Sequence, residues 1–220
     1  EFLFQYTEDK RIVNFLKKQG FKVRELNQKY KIKLSNKVQI QIIKSGFYDS
    51  LLIFETPDYK ILNLNDCPIK ETDELKKFKK KFGTFDVLLT QFSYAAWKGG
   101  VENKIYRQIA ADEKLEAVEK QARILECKSV IPFASFVYFS NELNFYMNDS
   151  INTPQKVVNF FADKKAKVIF LSPGEIQKVN NLQQDKLSLD FWKKKYSEIN
   201  LIKNDKKDKY SQSINLKDLN

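Results

Sequence analysis

The chain of 220 residues carries 39 Lys and Arg against 28 Asp and Glu, a net charge of +11, and 42% of it is apolar, enough for the core of one domain. No apolar run approaches the roughly 20 residues that span a bilayer, so no membrane partner is expected. There is no histidine. Without imidazole no Ser-His-Asp or Cys-His system can be assembled, nor a zinc site of the usual kind. A general acid or base would be a shifted carboxylate, lysine, tyrosine or cysteine. Cys67 and Cys127 are too far apart for a zinc knuckle and read as free thiols in a reducing, cytoplasmic compartment. The start at Glu1 has neither a Met nor the basic region of a secretory signal, and reads as a processed start, an expression boundary or, first among these, an incomplete chain.

Residues 2–5 are a short apolar run, after which Asp9 can cap a helix with Ile12, Val13 and Leu16 on one face, stopped by Gly20. Val38, Ile40 and Ile42 alternate with more polar positions and predict a half-buried strand over 38–44. Residues 51–55 and 59–64 predict a hairpin about Thr56-Pro57-Asp58. Leu75, Phe78 and Phe82 mark a short helix ended by Gly83. The run 86–91, DVLLTQ, is apolar without alternation, as in a strand covered on both faces. The longest helix is predicted over 103–126, with Ile105, Ile109, Leu115, Val118, Ala122 and Leu125 at helical spacing.

A second buried strand follows over 129–134. Thr153-Pro154 then opens a helix, with Thr at the N-cap and Pro in the first turn. Residues 167–171 are the next strand, closed by Ser172-Pro173-Gly174. Strands alternating with helices behind a strand-rich first half predict an α/β (α+β) fold, one mixed sheet packed by helices. After Gly174 the composition changes, dividing a folded part, 1–175, from a polar Lys/Asn-rich tail, 176–220. The tail has one predicted helix over 187–199, carrying Leu189, Trp192 and Tyr196, and a solvated charged end over 203–209.

Three stretches carry chemistry. Asn63 to Cys67 closes a strand, where α/β proteins place ligands: Asp66 can offer carboxylate oxygen and Cys67 a thiolate, although on composition alone an Asn-Asp pair is more often a turn. Residues 90–100 mix Gln91, Ser93, Tyr94 and Trp97 before a glycine pair, the composition of a ligand-facing loop or of an aromatic loop packed on the core. Residues 132–149 hold Ser140, Asn141 and Asn144 among aromatics. Such interleaving can stack bases, but the segment has no Lys or Arg.

Five motifs fall in the order and spacing found in metallo-β-lactamase-fold proteins: Tyr48-Asp49-Ser50, Ile61-Leu62-Asn63-Leu64-Asn65-Asp66-Cys67, Gln91-Phe92-Ser93, Ile131-Pro132-Phe133-Ala134 and Ser172-Pro173-Gly174. Residues 1–175 resemble the carboxy-terminal portion of that fold, nearest to its form in cytidine-monophosphate N-acetylneuraminate hydroxylase and bacterial relatives. The resemblance implies an αββα sandwich with zinc or iron at the sheet edges, held by a His-x-His-x-Asp-His motif, further histidines and a bridging aspartate. Asp66 matches the bridging aspartate. The histidine motif would fall on the amino-terminal side of Glu1. Where another histidine would precede Asp49 the chain reads Ser45-Gly46-Phe47-Tyr48, and where one would follow the Pro-Phe-Ala strand it reads Ser140-Asn141.

Three functions follow as expectations. The first is an incomplete or divergent hydrolase-like or hydroxylase-like protein. Its metal-hydroxide chemistry would need the histidine motif from outside this chain, from a missing amino-terminal half or a partner chain. The histidine-free chain alone is expected to bind no metal and to be inactive, with Asp49, Asp66 and Cys67 the first places to look for an ion. Gln91, Ser93, Tyr94 and Trp97 would line one side of a small anionic substrate, and Ser140, Asn141 and Asn144 the other. Phe2, Phe4, Val38 and Ile40 would lie on an exposed apolar surface. The second is a metal-free binding module for an anionic sugar or nucleotide. The third, nucleic-acid binding, is disfavoured because the basic residues are dispersed.

Overall fold

A computed structural model describes residues 1–46, 49–67 and 69–202. Phe47 and Tyr48, and with them part of the first motif, lie outside the described residues, as does the charged end 203–209. Near the start, β1 (Phe2–Gln5) pairs in parallel with β2 (Val23–Leu26) across α1 (Arg11–Lys18). Asp9 accepts from the Arg11 amide at 2.9 Å, tying down a free N–H of the first turn. Of the expected apolar face only Val13 is fully buried; Ile12 is exposed.

A short β3 (Ile32–Lys33) leads into an antiparallel meander of β4 (Gln39–Ser45), β5 (Asp49–Glu55) and β6 (Lys60–Asn65). The Thr56 amide donates to the Tyr59 carbonyl at 2.9 Å, and the Tyr59 amide to Thr56 Oγ1 at 2.9 Å, closing the predicted hairpin. From β6 the sheet becomes parallel, each crossover a helix: α2 (Thr72–Phe82) to β7 (Val87–Thr90), α3 (Lys104–Ile124) to β8 (Ser129–Pro132), and α4 (Pro154–Phe161) to β9 (Lys167–Val168). The seven strands lie in the order β3-β4-β5-β6-β7-β8-β9. The expected fold class, a mixed sheet packed by helices, is the one observed.

Register explains the core. Ile53, Leu62, Leu88, Val130 and Val168 are successive partners across five strands, and all are buried. They pack with Leu75 of α2, Leu115 and Val118 of α3 and Val157 of α4. Stepwise strand order with right-handed crossovers puts those three helices on one face. The neighbouring row, Ile42, Leu52, Asn63, Leu89 and Ile131, points to the other face, and each member is only half-buried.

Two expectations about apolar faces change. Ile105 and Ile109 are 73% and 51% exposed. The buried stripe of α3 runs Arg107, Ala111, Leu115, Val118, Ala122, and residues two positions away point roughly 200° around the helix. Ile40 is buried, and of its expected companions only Phe2 is exposed, Phe4 and Val38 being half-buried. The helix read over 187–199 is α5 (Lys186–Ile202). Its Trp192 stacks on Phe136 with centroids 3.8 Å apart and donates Nε1–H to the Leu171 carbonyl at 3.0 Å.

Candidate functional site

Because β6, β7 and β8 are parallel and in register at Asn65, Thr90 and Pro132, the segments that follow them leave from one edge of the sheet. At that edge Asn65 adopts a left-handed conformation, φ +51, which Asn tolerates better than most residues. Its amide donates to Asn63 Oδ1 at 2.9 Å and its Nδ2 to Asp66 Oδ1 at 2.7 Å. The resulting turn leaves Asp66 exposed. Gln91 docks on it, its amide donating to the Asn65 carbonyl at 3.0 Å and its Nε2 to the Asp66 carbonyl at 3.3 Å. Thus Asp66 and Gln91, singled out separately in the sequence, are brought together.

Cys67 is buried beside them. Burial pushes its thiol up, the nearby Asp49 and Asp66 push in the same direction, and a hydrogen bond with Ser45 opposes them. A neutral thiol is a poor metal ligand. Among the described residues no three His, Cys, Asp or Glu side chains are grouped to hold a metal ion. The described residues therefore do not fit the zinc or iron that the resemblance implies.

The loop after β7 turns inward. Ser93 is fully buried, and its Oγ accepts from the Asn152 amide at 3.1 Å. Tyr94 is buried with its hydroxyl donating to the Met147 carbonyl, and burial pushes the phenol up to about 12. Asn152 Nδ2 bridges the carbonyls of Phe92 and Ala111 at 2.8 and 2.7 Å. Ser93 and Tyr94 thus hold the loop to the core and present almost no surface to a ligand. Trp97 is 70% exposed.

Farther along, Gly99 has φ +80, and a Cβ there would lie 2.6 Å from that of Asn103, so the turn requires glycine. The Gly99 carbonyl accepts from the Tyr146 hydroxyl at 2.9 Å. Ser140 and Asn141 are exposed. Asn141 Oδ1 accepts from the Leu143 amide at 2.9 Å and so starts a run of 3₁₀ turns over Glu142–Asp149. Asn144 within it has a buried Oδ1 without a hydrogen-bond partner. The loop and this run meet through Tyr146 and Asp149, residues not singled out as site candidates in the sequence.

Between the Asp66–Gln91 edge and α3 lies a cavity of about 220 Å³. Thr90 and Gln91 form its strand side, and Lys70, Lys98, Lys114 and Glu113 surround it. The lysines were not legible as site residues among 39 basic side chains. Their signals in the sequence are positional: Lys98 inside the aromatic loop, Lys70 just past Cys67, and Lys114 next to the buried Leu115.

No protein family matches the sequence, and no curated protein is similar to it in sequence. Solved structures are similar in fold. A point mutant of the CmlA β-hydroxylase is 12% identical with a TM-score of 0.53, covering 77% of this chain and 38% of that one. CmlA itself, described as a diiron β-hydroxylase from Streptomyces venezuelae, is 12% identical with a TM-score of 0.49 and the same coverage, 77% and 38%. The metallo-β-lactamase fold protein YhfI from Bacillus subtilis is 9% identical with a TM-score of 0.44, covering 79% of this chain and 64% of that one. The first likeness shows a shared α/β fold, and the chain spans 38% of that hydroxylase's length.

Proposed function

We propose that this chain is a divergent metallo-β-lactamase-like protein, of the hydroxylase branch, that receives a small anionic substrate at the edge where β6, β7 and β8 end. One observation carries the reading: Asp66 and Gln91 meet at the carboxyl ends of parallel strands, the position at which α/β sheets bind ligands. The fold shared with the CmlA hydroxylase supports it. The likeness to cytidine-monophosphate N-acetylneuraminate hydroxylase rests on the sequence motifs.

In this reading metal-hydroxide chemistry belongs to histidine ligands from outside the chain, in an amino-terminal half or a partner. The chain's own part is to shape the substrate side. The alternative, a metal-free module for an anionic sugar or nucleotide, draws support from the lysine-lined cavity. Nucleic acid is not the expected partner. Two free, buried cysteines suit a reducing, cytoplasmic setting, and no described helix is long and apolar enough to cross a membrane.

Elemental analysis of the purified chain tests whether the metal ligands come from outside it. Less than stoichiometric zinc and iron is expected, since two carboxylates and one neutral thiol cannot replace several imidazoles. One or more tightly held ions per chain would overturn it and direct attention to Asp49, Asp66 and Cys67.

A further inference from the structure

Three lysines from three separate segments line one cavity, and none has an ion-pair partner among the described residues. Lys70 follows β6, Lys98 lies in the loop after β7, and Lys114 is on α3. Among the described residues no carboxylate lies within ion-pair distance of any of the three, whereas Lys10, Lys60, Lys79, Lys128 and Lys156 each have one. Glu113 is the acid on the wall, so three positive charges less one negative leave +2 on the lining residues, with Asp66 at the edge close enough to act on Lys114.

Lys98 and Lys114 are half-buried, where repulsion between like charges is less screened than in bulk water. The Lys114 ammonium is held below the usual lysine range, first by burial and then by Lys98 and Lys70, with Asp66 opposing. The fold thus gathers like charge in a recess, at some loss of stability, and a bound anion offsets that repulsion.

We propose that this cavity is a subsite for the phosphoryl group of a small phosphorylated molecule. The inference deepens the reading of the strand edge as a ligand site by naming the substrate class, although the cavity stands on its own geometry. A phosphate monoester carries two negative charges, matching the +2 of the wall. It has three terminal oxygens, one for each ammonium, and a fourth through which the rest of the ligand leaves the cavity. A carboxylate has one charge and two oxygens and leaves one ammonium unmatched. Lysine binds phosphate as a point charge, so this recognition needs no planar fork.

Size agrees with a subsite. A cavity of about 220 Å³ has room for several waters. That admits a phosphoryl group and a few attached atoms. Pockets for whole drug-sized ligands run to roughly 300–1,000 Å³. The remainder of the molecule would extend over the edge formed by Asp66 and Gln91.

Calorimetric titration of the full chain with inorganic phosphate, against sodium chloride of matched ionic strength, is the test. Saturable binding of one phosphate per chain is expected. In the Lys98→Gln/Lys114→Gln variant its affinity should fall by about tenfold or more, as for loss of charge-assisted contacts. Lys70→Gln changes an exposed side chain and should fold normally, with affinity reduced about threefold or more. The result stays decisive through Lys70→Gln if circular dichroism shows the double variant unfolded. Absence of saturable binding to the wild-type chain, or unchanged affinity in the folded variants, overturns the subsite. Elemental analysis does not bear on either outcome, so failure here and failure of the external-ligand reading remain distinguishable.

Discussion

The guanidinium of Arg107, wholly buried on α3, forms a two-pronged ion pair with Asp149, Nε to Oδ1 at 2.9 Å and Nη2 to Oδ2 at 2.7 Å. Its remaining N–H groups donate to the carbonyls of Gly100 and Val101, and its face lies over the Tyr146 ring with the centroid 4.9 Å away. One side chain therefore joins α3, the loop after β7 and the 3₁₀ run.

Removing Asp149 would leave that guanidinium buried and unpaired, which costs about 3–5 kcal/mol. Asp149→Ala should lower the stability measured by urea unfolding by that order. Adding Arg107→Met to Asp149→Ala should restore part of the loss, because no uncompensated charge remains. A single variant as stable as the wild type would show the pair to be dispensable.

The same pair sets an acid dependence. The Arg107 hydrogen bond is the main influence holding the Asp149 carboxyl below the usual carboxylate range. Between that lowered value and the unfolded value of about 3.9, the unfolded chain binds more protons, so stability rises with pH. The contribution is complete above about 3.9 and is lost as pH falls through the folded value. Urea midpoints measured from pH 5 down to 3 should fall more steeply for the wild type than for Asp149→Asn. Parallel curves would assign the acid sensitivity to other carboxylates.

Elements with local signals were legible in the sequence. The Thr56–Tyr59 hairpin, the Thr153 cap accepting from the Lys156 amide, and the stop at Gly83 each depend on a few adjacent residues. Neither β2 nor β3 was foreseen. The first, Val-Arg-Glu-Leu, holds its shape by pairing with β1, about twenty residues earlier, and the second has two residues. The meeting of Asp66 with Gln91 could be read because both end parallel strands. The inward turn of Ser93 and Tyr94 could not, since it depends on Asn152 and Met147, 59 and 53 residues on.

The two tryptophans should report separate environments. Trp192 lies against Phe136 at an interplanar angle of 16°, whereas Trp97 is 70% exposed. Emission from Trp97→Phe, due to Trp192 alone, should be largely protected from iodide, and that from Trp192→Phe readily quenched. Trp192→Ala should destabilise the chain by about 2–3 kcal/mol, below the range for fully buried aromatic truncations because Trp192 is half-buried. Equal quenching of both single-tryptophan variants would mean that α5 does not pack on Phe136 in solution.

Leu88 and Leu89 divide the two faces of the sheet. Leu88 is completely buried beneath the helices, while Leu89 is half-buried in the row with Ile42, Leu52 and Ile131. Adjacent residues of a strand point to opposite faces, so one chemical change at the two positions probes the two faces separately. Leu88→Gln removes apolar atoms from a packed core and buries an amide, and should cost about 3–5 kcal/mol or unfold the chain. Leu89→Gln places the amide where water reaches it and should cost about 1 kcal/mol, near the centre of the range for point substitutions. An apolar row of this kind also binds dye: the folded wild-type chain should enhance the fluorescence of an anilinonaphthalene probe, and Leu89→Gln should reduce that signal at unchanged helix content. Equal destabilisation by the two variants, or no dye signal from the folded chain, would mean that this second face is covered in solution.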